Sequence, residues 1–300
     1  MPASARERQF LDPAVVARLG TLELKARAVV EGFLSGLHRS PFKGFSVEFA
    51  EYRQYMPGDD LSTVDWKVFA RSDRHYIKKF EEETNLECHL LLDISASMSY
   101  GSGGLTKHEY SQCLAAALGY LMNRQRDRVG LTSFDERIVN MLPASARPGH
   151  LHALLLTLDR LQLGRETNVS KPLHQLADAL SKRGMVVLIS DLLDDPARVI
   201  RGLKHFRFRG TDVIVFHILD PHEVDFPFER PTRFQDLETG QEIMAVPARV
   251  RRHYLEAIGG LIDEYKRELG ACGIDYHLLR TDRPLELALM AYLSTRARRL

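Results

Sequence analysis

The sequence predicts a doubly wound α/β protein, a mostly parallel β-sheet with helices on both faces. Three observations carry that reading. Short apolar runs recur at Cys88–Leu92, Val129–Phe134, Met185–Ser190 and Val213–Leu219, and they are continuous rather than alternating. Strands buried on both faces read this way, as parallel strands do. Segments of helical periodicity fill the gaps between the runs, as crossover units require. Finally, each run ends in an aspartate, Asp93, Asp135, Asp191 or Asp220, at the tip where open α/β sheets bind their ligands.

Composition sets the outer bounds. The 300 residues are 44% hydrophobic and 27% charged, ordinary for a globular chain that can bury a large core. Lys+Arg number 41 against 40 Asp+Glu, a net charge of +1 that speaks against a dedicated nucleic-acid binder. No stretch approaches the roughly 20 apolar residues of a membrane span. The N-terminal segment has no apolar core of a secretory signal. Cys88, Cys113 and Cys272 are odd in number and far apart, so neither a disulfide framework nor a thiolate zinc site is expected. The expected location is cytoplasmic.

Residues 1–85 read as an N-terminal α+β extension packed on a main domain over 86–300. Apolar positions from Val15 to Leu37 predict one helix over 13–37, ended by Ser40-Pro41. Phe45–Phe49 alternates as a strand, and Tyr55–Asp60, with Pro57-Gly58, is a turn. Ser62 can cap a short helix carrying Asp65 and Trp66, and an extended piece from Tyr76 to Phe80 leads to the acidic Glu81–Glu83. The paired acids around Asp59, Asp60 and Asp65 tempt a catalytic reading. An architectural or docking role, with Trp66 as an anchor, explains them better.

In the main domain, helices are expected over 107–124, 148–162, 171–183, 196–207, 248–270 and from 284 onward. Residues 137–142 pair back on the second strand, and 274–280 form the last. A late β-hairpin insertion spans about 228–247, its strands joined across Glu238-Thr239-Gly240. His217, inside an apolar strand, reads as a satisfied core residue. Gly101–Lys107 lacks the spacing of a phosphate-binding loop and reads as a flexible connection. Asp135 and Asp220 read as turn and cap residues.

Asp93 differs because of its neighbours along the chain. Asp93-Ile94-Ser95-Ala96-Ser97 sets a carboxylate and two hydroxyls at alternate positions of a loop leaving a strand tip. Thr167 and the second tip carboxylate, Asp191, can join them. Such an all-oxygen set suits a hard cation, Mg²⁺ or Mn²⁺. The competing reading is that Asp93 and the serines cap the next helix. Two carboxylates and three hydroxyls neutralise a divalent ion but supply few anionic ligands, so an open position would draw a carboxylate from a partner. Glu166, beside Thr167, is an internal group that would close the position.

The combination Asp93-x-Ser95-x-Ser97, Thr167 and Asp191 resembles the metal-ion-dependent adhesion site (MIDAS) of von Willebrand factor A domains. More narrowly, the chain resembles the bacterial domain-of-unknown-function family 58 (DUF58). The matching stretches are Ser40–Gly44, Glu48–Tyr55, Pro57–Asp60, Val64–Lys67, Ala70-Arg71 and Phe234–Gly240. That resemblance implies a von Willebrand A-like, Rossmann-like fold and partnership with a MoxR-type AAA+ ATPase and a protein client. It supplies no defined activity. The function expected is a metal-dependent interaction module or adaptor rather than an enzyme. The alternative is a metal-dependent hydrolase or phosphatase using Asp93, which would want a second aspartate where Ser95 stands.

Overall fold

The structure, a computed structural model, describes residues 11–38, 52–54, 76–78, 86–164, 169–180 and 184–297. The expected strand at Phe45–Phe49, the turn at Tyr55–Asp60, the short helix with Asp65 and Trp66, and Glu81–Glu83 lie outside those residues. So do Glu166 and Thr167.

Six strands form the central sheet: β3 (Glu87–Asp93), β4 (Arg128–Phe134), β5 (Ile138–Ser145), β6 (Met185–Ser190), β7 (Asp212–Leu219) and β10 (Asp275–Arg280). Their order is β10-β7-β6-β3-β4-β5, all parallel except β5, which returns antiparallel along β4 at one edge. The order reverses between β3 and β6, the switch point at which such sheets leave a crevice. Cys88 pairs with Met185 and Leu92 with Ile189, a register that draws the carboxyl ends of β3 and β6 level. Two short backbone pairings stand apart from this sheet. One joins β1 (Tyr52–Gln54) to β2 (Tyr76–Lys78), and the other joins β8 (Thr232–Gln235) to β9 (Glu242–Ala245). The second is the expected hairpin, with its turn over 236–241.

The continuous apolar runs sort into two cores by the period of two that a strand imposes. On one face, Leu90, Leu92, Val129, Leu131, Val187, Ile189 and Phe216 pack under α2 (Leu22–His38), α3 (Lys107–Arg124), α4 (His150–Asp159) and α9 (Glu286–Ala297). On the other, Leu91, Val186, Leu188, Val213 and Val215 pack under α5 (Ser170–Ala179), α6 (Pro196–Phe208) and α8 (Pro247–Ala271). Helix α3 is buried almost all round, because it lies between the sheet and α2. Its run Ala115-Ala116-Ala117 keeps it thin enough to fit, and Gly119 lets Leu154 of α4 close against it.

The single helix expected over 13–37 is two. Helix α1 (Pro13–Ala17) and α2 are separated at residues 18–21. Asp12 caps the first by accepting the Ala14 N–H at 2.8 Å, and the Thr21 hydroxyl accepts the Leu24 N–H at 3.2 Å. Gly20 and a side chain that prefers a cap to a helix interior make the break. Elsewhere the observed helix limits lie within four residues of the expected ones, inward at His150–Asp159 and outward by one residue at each end of Pro247–Ala271, the scatter usual at helix ends. A five-residue helix, α7 (Pro221–Asp225), was not expected. Asp220 opens it through a capping box with Glu223. Asp220 is therefore the cap residue it was read to be, and Asp135, whose carboxylate accepts the Arg137 N–H at 3.0 Å, is the turn residue. No helix among the described residues is long and apolar enough to cross a membrane.

Candidate metal centre at the strand switch

Asp93 closes β3 with its side chain wholly buried. One carboxylate oxygen accepts the Ser95 N–H at 2.9 Å, and the other accepts the Ser190 hydroxyl at 2.6 Å. Ser190 is the last residue of β6 and in turn accepts the Leu192 N–H at 3.0 Å. The chain then curls through a 3₁₀ turn at Ala96–Ser99. Ser95 precedes that turn, yet its side chain caps nothing. Instead the Ser95 and Ser97 hydroxyl oxygens meet at 3.1 Å. Ser95 therefore does not cap the turn, while Asp93 satisfies the Ser95 N–H, which is the part of the capping reading that the geometry keeps.

Asp191 comes directly after β6 and is also fully buried. Its carboxylate accepts from the Ser97 hydroxyl and, at 3.3 Å, from the Leu193 N–H. The turn that holds it is tight: Leu192 has φ 52°, left-handed backbone that costs a residue with a Cβ free energy. Tyr265 donates its hydroxyl to the Leu192 carbonyl at 3.1 Å and ties this turn to α8. His217 donates from Nε2 to the Asp191 carbonyl at 2.8 Å and accepts the Tyr276 hydroxyl at Nδ1 at 2.7 Å. Burial pushes the His217 pKa down to about 4, which keeps the ring neutral, and the carbonyl facing Nε2 places the single ring proton there. His217 is a satisfied core histidine, as read from the sequence, and a prop beneath the site.

Four of the five candidate ligands, Asp93, Ser95, Ser97 and Asp191, are thus gathered at one strand switch. Thr167 and Glu166 lie outside the described residues, but both ends of their segment are pinned beside the centre. Gly164 N–H donates to the Ile94 carbonyl at 2.7 Å, and Val169 N–H donates to the Asp194 carboxylate at 3.0 Å.

Sequence reasoning missed the cation. Lys107 is not part of a flexible connection; it is the first residue of α3 and has no solvent exposure. Its Nζ donates to the Asp191 carboxylate at 2.8 Å and to Glu223 at 2.7 Å. The loop before it is not free either, since Ser102 donates its N–H to Asp220 at 2.8 Å. A signal existed. Thr106 and Glu109 form a capping box, a spacing readable as a helix start. A lysine just inside that start opposes the helix dipole and therefore asks for an acidic partner.

The electrostatics divide the two carboxylates. Burial, and then the neighbouring Asp191 charge, raise the Asp93 pKa to about 7. Burial works against the Asp191 anion too, but the Lys107 ammonium more than offsets it and holds that pKa below the usual range. Glu223 is raised, because its burial outweighs the attraction of Lys107. Among the described residues no three His, Cys, Asp or Glu side chains form a metal cage. Any ion here therefore depends on the serine hydroxyls, and the donor set fits a hard divalent cation. All its donors are oxygen, and the mutual repulsion of Asp93 and Asp191 is what such a charge relieves.

A parallel sheet with one antiparallel edge, helices on both faces and an oxygen-lined switch point define a von Willebrand factor A-like domain. The family model "Protein of unknown function DUF58" matches residues 51–259, and the chain belongs to that family. "Uncharacterized protein Rv1480" of Mycobacterium tuberculosis (strain ATCC 25618 / H37Rv) is 29% identical over 302 residues, 99% of this chain and 94% of its own. Among solved structures, the conserved hypothetical protein BatB from Bacteroides thetaiotaomicron superposes with a TM-score of 0.50 at 15% identity, over 72% of this chain and 100% of its own. An aerotolerance-related membrane protein from Bacteroides fragilis NCTC 9343 gives 0.50 at 17%, over the same shares. At such identities these two likenesses concern the fold alone.

Proposed function

We propose that this protein is a metal-dependent interaction module. Asp93, Ser95, Ser97 and Thr167 would hold a Mg²⁺ or Mn²⁺ ion near Asp191, and the ion would present an open position to a carboxylate of a partner. When bound, the ion supplies Lewis acidity toward that carboxylate. The protein does the rest: β3 and β6 fix the two acids, Ser190 orients Asp93, and Lys107 balances Asp191. The observation that carries the reading is the convergence of Asp93, Ser95, Ser97 and Asp191 at the strand switch, with both carboxylates buried and the Lys107 ammonium bound to Asp191. The family resemblance supports a MoxR-type AAA+ ATPase as the working partner and a protein client as its cargo. The hydrolase alternative draws less support, since Asp93 has both oxygens engaged and Ser95 stands where a second acid is wanted.

Calorimetric titration of Mg²⁺ and Mn²⁺ into the full chain tests the reading. The wild type is expected to bind one ion, and Ser97→Ala and Thr167→Ala are each expected to weaken it by at least about tenfold, the 1.4 kcal/mol scale of one lost ligand interaction. Capture of the ATPase in Mg²⁺ but not in EDTA, and its loss in Ser97→Ala, would extend the result to the partner. Equal metal binding in all three chains would remove these residues from the site.

A further inference from the structure

The oxygen ligand pattern of this centre has no place for a buried ammonium, yet Lys107 stands in it. Its position is costly twice over. Burial strips water from a charge, and the start of an 18-residue helix is the positive end of the dipole. The two acids it touches, Asp191 at 2.8 Å and Glu223 at 2.7 Å, account for its being there. The consequence for the site is an asymmetry. Asp191 meets a full positive charge, whereas among the described residues Asp93 meets neutral donors, the Ser95 N–H and the Ser190 hydroxyl. Among the described residues, one carboxylate of the pair is bound to an ammonium and the other is not.

We propose that Lys107 is a tethered internal cation that competes with the divalent ion for Asp191, leaving Asp93 as the carboxylate that meets the ion. This rests on the metal reading above and adds the residue that tunes it. An ion supplied by one carboxylate and by hydroxyls keeps more of its charge, and its pull on a partner's carboxylate is correspondingly stronger. Lys107 thus exchanges metal affinity for partner affinity. Glu223 sets the balance, because it shares the ammonium: while Glu223 is charged, less of the attraction of Lys107 falls on Asp191. Tyr254, donating its hydroxyl to the Glu223 carbonyl at 2.9 Å, holds that residue in place from α8.

The test is calorimetry of Mg²⁺ and Mn²⁺ binding to the metal-stripped full chain, as wild type, Lys107→Met and Glu223→Gln. Lys107→Met keeps the stem and removes the charge, so Asp191 becomes available. It is expected to bind at least about tenfold tighter, a modest effect for deleting a unit charge a few ångströms away at protein-like dielectric. Glu223→Gln commits the ammonium to Asp191 and is expected to bind about threefold weaker. Should Lys107→Met fail to fold without the ion, recovery of its folded circular dichroism on adding Mg²⁺ would uphold the same competition. Tighter binding lost or reversed in Lys107→Met overturns the inference, as does no change in either variant. Binding by Lys107→Met alone would sink the metal reading for the native chain while leaving Lys107 as the cation that takes the ion's place. Silence from all three chains overturns both.

Discussion

Asp93 is pressed toward its neutral form by burial and by Asp191, and the sign of the resulting pH dependence can be worked out. In metal-free protein its pKa rises from 3.8 unfolded to about 7 folded, so the folded state holds a proton that the unfolded state gives up. Its contribution to stability is therefore present at low pH and is lost as pH climbs from about 4 through 7. His217 acts oppositely. Its pKa falls from 6.5 to about 4, so the stability it contributes is present above 6.5 and is lost as pH drops through 4. The two oppose each other over one window. Asp93→Asn in EDTA should melt above the wild type at pH 8, where the native carboxylate is charged, and lose that advantage at pH 5. A variant that melts below the wild type by the same margin at both values would deny the raised carboxylate. At this scale the sequence yielded Asp93, Ser95, Ser97 and Asp191, because a strand tip and a two-residue spacing are local facts. It hid Ser190 and Glu223, whose meaning depends on a strand register and on a helix too short to show a period. Lys107 was visible as a residue but not as a partner, since it lies 84 positions from Asp191.

Among elements, the helices on the α3 face decide how firmly the site is backed. Helix α3 starts at Lys107 and carries the ammonium, so whatever steadies α3 steadies the centre. Helix α2 does this by packing Ala26, Val29, Val30 and Phe33 into the same core as Leu90 and Leu92 of β3. Phe33 is only 3% exposed. Phe33→Ala should therefore cost about 3–5 kcal/mol in denaturant unfolding, the usual range for truncating a buried phenylalanine. A loss below about 1 kcal/mol, the scale of a surface change, would mean that α2 merely leans on the domain. The break between α1 and α2 shows why element limits were harder to read than element types. Val15, Val16, Leu19 and Leu22 keep a helical period across residues 18–21, and periodicity cannot see that Gly20 and Thr21 favour a cap. The hairpin β8–β9 was legible because its turn residues sit between two short alternating runs. Helix α7 was not, being too short to show a period, although Asp220-Pro221-His222-Glu223 carries a cap and its reciprocal acid.

For the whole molecule the question is whether the residues before β3 are a companion domain or part of one folding unit. The apolar face of α2 has no core of its own among the described residues; what it buries, it buries with α3 and the sheet. A further tie runs from the chain start to its end, where the Leu11 N–H donates to Glu286 of α9 at 2.9 Å. Glu286 is itself buried and its pKa raised by that burial, so losing the bond would leave a buried acid short of a partner. Removing the first segment thus uncovers an apolar helix face and strips a donor from α9 in one step. We expect a chain beginning at Leu86 to aggregate or to melt at least about 10 °C lower than the full chain, consistent with the loss of several buried side chains. The full chain should unfold in one transition, with circular dichroism and Tyr fluorescence coinciding. Two separate transitions, with the later one reproduced by the shortened chain, would instead make the metal centre a property of residues 86–300 alone. In that case Phe33→Ala would move only the earlier transition, so the two experiments check one another.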